Sequence, residues 1–468
     1  MSSACRTRIL IALASAFLGL SACKPTAGAD GDVYASTTLT IDKAEYAERL
    51  HGFWLGQSIG NWTGLVTEMD KIGGEGPHGV FYTRADWGGP DQPAIWGQGQ
   101  PSDISPTIDF VLRRPGEVWG ADDDTDIEYL YQETLYRAGG STLTGEQIRT
   151  AWLAHIYDER SETPYGRDGE VWQNYLWVSN QRAHELMLAG VVPPQTGDPV
   201  QNSHTDMIDA QLTTEIFGLF APGHPDMARE IGRLPVQTTA RGAAEEAAMF
   251  YIAMHALAPL VDDGRPLREQ VIAMAYRARS GLSEGGYPAA MFDFVANAHA
   301  EGRSWEAARD GLYERYQVRA EDGYDITGRD LYCNGCFASG INFGASLISL
   351  FYGEGDIRET IRIATLAGWD SDNPAATWGG LLGFIIGREG VEDAFGGPLS
   401  DRFNIHRTRR GFPDDGMDTF PAMAERGVAV TERVILDRLG GRISQDGRAW
   451  EIPLRNGARE RHTGAERE

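Results

Sequence analysis

Cysteine is scarce in this chain, with four residues in 468. Cys5 and Cys23 lie near the N-terminus, which leaves Cys333 and Cys336 as a lone CxxC pair. Because there is no second such pair, the sequence excludes a four-cysteine zinc site, and the ten histidines form no zinc-ligand pattern. The spacing leaves a local disulfide and two ordinary cysteines as equal alternatives, with redox catalysis disfavoured.

Positive charge and long apolar runs are also in short supply. The chain has 67 Asp and Glu against 42 Lys and Arg, a formal net charge of -25, which argues against a nucleic-acid partner. Residues 9–20 form one apolar run, but it is shorter than the roughly 20 residues that a membrane-spanning helix needs. Arg6 and Arg8 precede this run, so the sequence predicts an N-terminal signal peptide.

The end of that run carries a second motif. The letters LSAC at 20–23 resemble the lipobox of bacterial lipoproteins, which implies a signal peptide over 1–22 and a lipid on Cys23. Lys24 does not match the common inner-membrane retention signal, so we expect an outer-membrane lipoprotein of the cell envelope, facing the periplasm or the cell surface. The lipid would be its one membrane contact, with 23–38 as a flexible tether. The alternative is an ordinary secretory signal with a chance cysteine.

Alternation typical of strands is scarce, and apolar residues recur at helical spacing from residue 41 onward. Asp42 to Glu45 is predicted to cap a first helix, which continues through glycines spaced four apart to residue 61. Further helices are predicted at 126–138, 145–158, 171–189, 205–220, 225–233, 242–258, 266–279, 288–300, 304–316, 338–352, 356–367 and 374–387. The fold class is therefore predicted as all-α.

Residues 71–121 interrupt this pattern, because they are rich in Gly, Pro, Asp and Trp and show no period. Irregular segments of this length inside a compact domain usually carry function. With no internal repeat to divide the chain, we expect one helical domain over 39–440. A C-terminal hairpin around Asp446 and Gly447, followed by a charged tail, is predicted over 441–468.

Two acidic turns stand out, each just before a predicted helix. Asp370 and Asp372 lie between a helix that ends at Gly368 and one that begins near Pro374, and a second acidic run occupies 122–126. Carboxylate oxygens suit hard divalent cations, so the two turns predict one metal site. Taken singly, the turns could be solvated loops, helix caps or a calcium loop, although 122–126 lacks the EF-hand spacing.

Three motifs in this order resemble those of the ADP-ribosylglycohydrolase family. GNWTGLVTE at 60–68 resembles the family's G-D-A-x-G-x-x-x-E, and DDDT at 122–125 resembles its T/S-D-D-T/S. GWDSDN at 368–373 is similar to its G-x-D-x-D-T/S and precedes a glycine-rich helix typical of the family. The resemblance implies a compact, orthogonal multi-helix bundle of the crystallin J1-like type, with the irregular insertion near 71–121.

The resemblance also implies a binuclear Mg²⁺ or Mn²⁺ centre. The positions that match the family's metal ligands are Asp122, Asp123, Asp124, Thr125, Asp370, Asp372 and Asn373. Three residues depart from the family pattern, since Asp122 replaces a hydroxyl ligand, Asn373 replaces Thr or Ser, and Asn61 replaces an Asp. Asn373 can offer a neutral carbonyl oxygen, so this chain is expected to hold its metals differently.

The implied activity is hydrolysis of a ribosyl-like or other glycosidic bond at C1, with Glu68 and Asp123 as catalytic residues. The candidate substrate-binding residues are Asn61, Trp62, Trp119 and Trp369, with Trp87 and Trp96 as further candidates for an aromatic wall. The predicted location favours an extracytoplasmic small-molecule glycoside or glycan over ADP-ribosyl-protein. The alternative is a non-catalytic lipoprotein that binds a sugar or nucleotide and has a degenerate metal site.

Overall fold

The computed structural model describes residues 37–97, 99–158, 174–325, 333 and 335–454, and the backbone of 167–168 and 171–172. Helices dominate these residues, as predicted. They are α1 (Lys43–Gly64), α2 (Asp123–Ala138), α3 (Gly145–His155), α4 (Val178–Leu188), α5 (Ile216–Leu219), α6 (Pro225–Val236), α7 (Ala243–Leu257), α8 (Leu267–Arg279), α9 (Tyr287–Ala300), α10 (Trp305–Leu312), α11 (Ser339–Gly353), α12 (Ile357–Ala367), α13 (Asp372–Ala394) and α14 (Phe420–Val434). The predicted signal peptide, Cys23, the predicted tail from 455 and all but two residues of the predicted tether lie outside the described residues.

The strands are short, with two to six residues each. They are β1 (Thr37–Asp42), β2 (Arg167–Asp168), β3 (Val171–Trp172), β4 (Arg402–Asn404), β5 (Met417–Thr419), β6 (Arg442–Ile443) and β7 (Ala449–Leu454). The predicted C-terminal hairpin is present as β6 and β7, and β7 also pairs antiparallel with β1. Because this pairing joins the two ends of the described chain, residues 37–455 form one compact unit that includes the hairpin.

Three segments differ from the sequence prediction. The helix predicted at 171–189 begins only at Val178, since residues 171–172 form β3 and the Asn174 carbonyl accepts from the Thr408 and Arg409 side chains. Residues 205–220, predicted as one helix, contain a single 3₁₀ turn at Ile208–Ala210 and the short α5. The Thr213 and Thr214 hydroxyls donate to the carbonyls of Asp209 and Ala210 at 2.9 and 2.7 Å, and such local side-chain bonds compete with regular helix. Helix α14 was missed altogether, although its buried residues keep helical spacing and Thr419 caps its start.

Helices α1 and α13 touch along their backbones. A Cβ atom built on Gly56 or Gly60 would lie closer than 3.0 Å to the main chain of α13, at Gly379 or Ala375. The same holds for Gly64 against Asp372. Glycine is needed at these positions because any side chain would push the two helices apart. This contact places the end of α1, and Glu68 just beyond it, against the start of α13.

Candidate metal centre and active site

The turn before α13 is hydrogen-bonded to the backbone of residues 69–71, which directly follow Glu68. The amide of Met69 donates to the Trp369 carbonyl at 2.8 Å, and the Trp369 amide donates to the Lys71 carbonyl at 2.7 Å. Trp369 adopts a φ of 58°, in the left-handed region that is unfavourable for a bulky side chain, and its buried ring packs on Phe81. This buried ring lies outside the cavity lining and holds the turn in place.

The second acidic turn begins α2. Asp122 is the N-cap and accepts from the Asp124 amide at 3.1 Å, while the Thr125 hydroxyl accepts from the Asp122 amide at 3.3 Å. Buried Asn61 of α1 donates its side-chain amide to both carboxyl oxygens of Asp122, at 2.9 and 2.8 Å, and to Asp124 at 3.2 Å. Asn61 therefore donates hydrogen bonds to the carboxylates, whereas an Asp at this position would add a further negative charge.

The two acidic turns and Glu68, which follows α1, bring five carboxylates together in two groups. Glu68, Asp370 and Asp372 form one group and Asp122, Asp124 and Asp372 the other, and within each group a set of oxygens lies within 4.8 Å. Asp372 belongs to both. Distant segments of the chain, the end of α1, the start of α2 and the start of α13, therefore meet at one point.

Three predicted ligands remain besides the residues of these carboxylate groups. Asp123 lines the adjoining cavity. The Asn373 oxygen accepts from the Gln211 side chain at 3.3 Å, and the hydroxyl of Thr125 is used in the helix cap.

Burial and mutual repulsion dominate the electrostatics of this centre. Burial first, then the neighbouring carboxylates, raise the pKa of Glu68, Asp123, Asp124 and Asp370 well above the usual range. Burial and the charge of Asp372 likewise raise the pKa of Asp122 to about 8. Carboxyl groups gathered in this way are stable as anions only beside a positive charge.

The donor set fits hard divalent cations. One oxygen each of Asp124 and Asp372 is buried without a hydrogen-bond partner, so each has a lone pair free for an ion. No Lys or Arg occurs among the described residues that line the adjoining cavity, so a metal ion is the natural source of positive charge.

The carboxylates open into a cavity of about 460 Å³ whose remaining walls are largely apolar and aromatic. Those walls are formed by Leu65, Trp96, Tyr175, Trp177, Val178, Ile208, Leu212, Phe337 and His406. A volume of this size is in the range of small-molecule sites. A larger open groove of about 620 Å³ lies elsewhere, beside Arg49 and Arg388, away from both carboxylate groups.

One lining carboxylate, Asp209, was missed from the sequence. It comes from the 3₁₀ turn at Ile208–Ala210, where one of its oxygens accepts from the Asn180 amide at 2.8 Å and the other has no partner. Its charge contributes to the raised pKa of Asp123 and Asp370. No motif spacing relates Asp209 to the acidic turns, so only the fold brings it to the site.

The aromatic wall differs from the predicted one. Trp96 lines the cavity, whereas Trp62 and Trp119 lie outside its lining and donate their indole N–H groups to the Gly120 and Ser400 carbonyls at 3.0 and 2.9 Å. Both indole N–H groups are therefore bonded to backbone carbonyls of the protein.

The lone CxxC pair lies beside this wall. The structure forms the Cys333–Cys336 disulfide, with the Cα atoms 5.4 Å apart, next to Phe337. This bridge settles the alternative that the spacing left open.

A buried ion pair holds the segment that carries Tyr175 and Trp177, two of the aromatic residues that line the cavity. Arg409 and Asp126 meet at 2.8 Å with both side chains fully buried, and Arg409 also donates to the Asn174 carbonyl at 2.8 Å. Because Asn174 immediately precedes Tyr175 and Trp177 comes two residues further on, this guanidinium links the start of α2 to two rings of the cavity. Asp126, which the sequence presented as a helix-start charge, is a structural partner.

The chain is similar to known proteins of one family. The model of the ADP-ribosylglycohydrolase family matches residues 42–427. A solved structure described as an ADP-ribosylglycohydrolase-related protein complex is 15% identical, with a TM-score of 0.45, over 83% of this chain and 99% of that one. No curated protein matches the chain. The described part of the chain has no helix long and apolar enough to cross a membrane. Since the family model covers most of the sequence, the chain belongs to the ADP-ribosylglycohydrolase family.

Proposed function

We propose that the protein is a glycosyl hydrolase that depends on Mg²⁺ or Mn²⁺ and holds two ions. The observation that carries this proposal is the sharing of Asp372 between the group with Glu68 and Asp370 and the group with Asp122 and Asp124. A carboxylate that belongs to two sets of ligands can bridge two cations, and sets made of oxygen suit these metals. Membership of the family supports hydrolysis of a glycosidic bond.

When bound, such ions would orient sugar hydroxyls and lower the pKa of a coordinated water. Glu68 is partly exposed to the cavity beside Asp370 and Asp372, so it can accept a proton from an attacking water. The bond from C1 to the aglycone breaks, the water oxygen bonds to C1, and the proton held by Glu68 passes to the departing aglycone. Asp123 lines the cavity outside both groups, and with its carboxylate kept ionised by the bound ions it would favour the positive character that develops at C1.

We further propose that the substrate is an extracytoplasmic glycoside and that the protein is a lipoprotein of the outer membrane. The N-terminal motif that ends at Cys23 supports this location, and so does the Cys333–Cys336 disulfide, because such bridges persist in oxidising compartments. The scarcity of positive charge in the described lining disfavours the pyrophosphate of ADP-ribose. The lipid on Cys23 would be the one membrane contact, and no nucleic acid is expected to bind.

The number of metal ions that each chain binds tests the proposed two-ion centre. Protein stripped with chelator is titrated with Mn²⁺ by calorimetry, and hydrolysis is assayed on ADP-ribosyl-protein, nucleosides and nitrophenyl glycosides. We expect two ions per chain in the wild type, loss of both in Asp372→Asn, and loss of one each in Asp124→Asn and Asp370→Asn. Asp91→Asn is the control, since this buried carboxyl accepts from the Ser102 amide and belongs neither to the two carboxylate groups nor to the cavity lining.

Two outcomes would contradict the proposal. If Asp372→Asn still binds two ions, the shared carboxylate is not a bridge. If the wild type binds metal and ligand but hydrolyses nothing in the panel, the non-catalytic binding protein becomes the better description. Asn61 and Asn373, which depart from the family pattern, would then mark a centre that has lost its activity.

A further inference from the structure

Two exposed tryptophans meet at the same cavity. Trp96 is 45% exposed and Trp177 is 47% exposed, and every other tryptophan whose side chain the structure describes is buried or half-buried. Leaving large aromatic faces in water forgoes hydrophobic stabilisation, so two such faces around one cavity indicate a surface that a ligand covers.

Two further aromatic side chains line the same cavity beside these tryptophans. The rings of Trp96 and Phe337 are parallel within 1°, with centroids 6.1 Å apart. On the segment held by Arg409, Tyr175 and Trp177 lie edge to face at 6.3 Å. All seven lining carboxylates are less exposed than Trp96 and Trp177, so these two indoles lie closer to solvent than the metal centre does. We call Trp96, Tyr175, Trp177 and Phe337 the aromatic mouth.

Charge restricts what the aromatic mouth can hold. The cavity lining contains seven carboxylates, and the described lining residues include no Lys or Arg. Arg409 is fully buried in its pair with Asp126, whereas the Arg407 guanidinium stacks on the Tyr175 ring, 4.9 Å from its centroid. A phosphate at the aromatic mouth would therefore meet one guanidinium against seven carboxylates, whereas an uncharged planar group would gain stacking contacts.

We propose that the aromatic mouth binds the aglycone, and that the substrates are glycosides whose aglycone is planar and carries no phosphate, such as nucleosides. This inference rests on the proposed hydrolase function, since it names the part of the substrate that leaves. The sugar reaches the carboxylates while the planar group is stacked at Trp96 and Trp177. Stacking of one base on an aromatic side chain typically contributes enough to change affinity by about tenfold or more.

The experiment compares three probes that share a ribose ring: adenosine, adenosine 5′-monophosphate and methyl ribofuranoside. Their dissociation constants for the purified full-length protein are measured by calorimetry, once in Mg²⁺ and once in chelator. We expect adenosine to bind at least about tenfold more tightly than methyl ribofuranoside, and more tightly than the monophosphate. Trp96→Ala and Trp177→Ala should each weaken adenosine about tenfold and leave methyl ribofuranoside unchanged.

Trp87→Ala is the matched control, because that ring is half-buried against Phe110 outside the cavity lining. It should leave all three affinities unchanged, and thermal unfolding would confirm that each variant is folded. The inference would be overturned if adenosine did not bind, or if it bound no more tightly than methyl ribofuranoside. It would also be overturned if the monophosphate bound more tightly than adenosine, or if both mouth variants kept the wild-type affinities. Binding in chelator is measured without metal-dependent turnover, so failure of the proposed hydrolase is seen separately in the metal assay.

Discussion

Replacing Gly56 by alanine tests whether the backbone contact between α1 and α13 builds the metal centre. The new Cβ would lie closer than 3.0 Å to the Gly379 carbonyl and 3.1 Å from the Gly383 Cα. These are main-chain atoms inside a helix, so they cannot rotate away. The helices would have to separate by roughly 1 Å or shift along each other.

The magnitude follows from two opposing terms. Overpacking of a tight interior costs about 3 kcal/mol at the upper end of its usual range, and alanine recovers about 1 kcal/mol through its better helix propensity. We therefore expect Gly56→Ala to lower the free energy of unfolding by about 2 kcal/mol. Because Glu68 follows α1 and Asp372 begins α13, Mn²⁺ affinity should also fall about tenfold, although Gly56 touches no carboxylate.

Urea unfolding followed by circular dichroism gives the stability, and calorimetry gives the Mn²⁺ affinity. Gly311→Ala in α10 is the control, because its Cβ would meet only the tip of the Phe294 ring, at 2.9 Å. It should change stability by less than about 1 kcal/mol and leave metal binding intact. A Gly56→Ala protein as stable as Gly311→Ala, with wild-type Mn²⁺ affinity, would refute the reasoning.

Three further outcomes are expected. Burial lowers the pKa of His255 from 6.5 to about 4, so the unfolded chain takes up this proton more readily than the folded protein. The free energy of unfolding, with its full value above pH 6.5, should therefore fall by about 3 kcal/mol as the pH drops to 4. Urea unfolding of His255→Gln should show a shallower fall over the same range. Arg409→Met should cost about 3–5 kcal/mol by leaving Asp126 buried and unpaired, and Asp126→Asn in the same chain should recover part of it. Reducing Cys333–Cys336 should cost about 2 kcal/mol or less, because the closed loop is short, and a larger fall in melting temperature would contradict this.

The local features of the fold could be predicted because their causes are local. Asp42 caps α1 by accepting from the amides of Ala44 and Glu45, and apolar residues at helical spacing marked most of the helices. The Asp446–Gly447 turn marked the C-terminal hairpin for the same reason. Failures came where tertiary contacts compete, as at 205–220, or where an existing periodicity was overlooked, as in α14.

The sequence by itself determined the all-α class, the family and the acidic turns around Asp124 and Asp372, because these depend on residue order and helix ends. Only the tertiary structure decided that Asp372 belongs to both carboxylate groups and that Asn61 donates hydrogen bonds to Asp122. It likewise decided that Asp209 lines the same cavity as these carboxylates. It also decided that Trp96 faces the cavity while Trp119 is buried. The physical reason is that burial and proximity arise from contacts between segments far apart in the chain, which residue spacing does not encode.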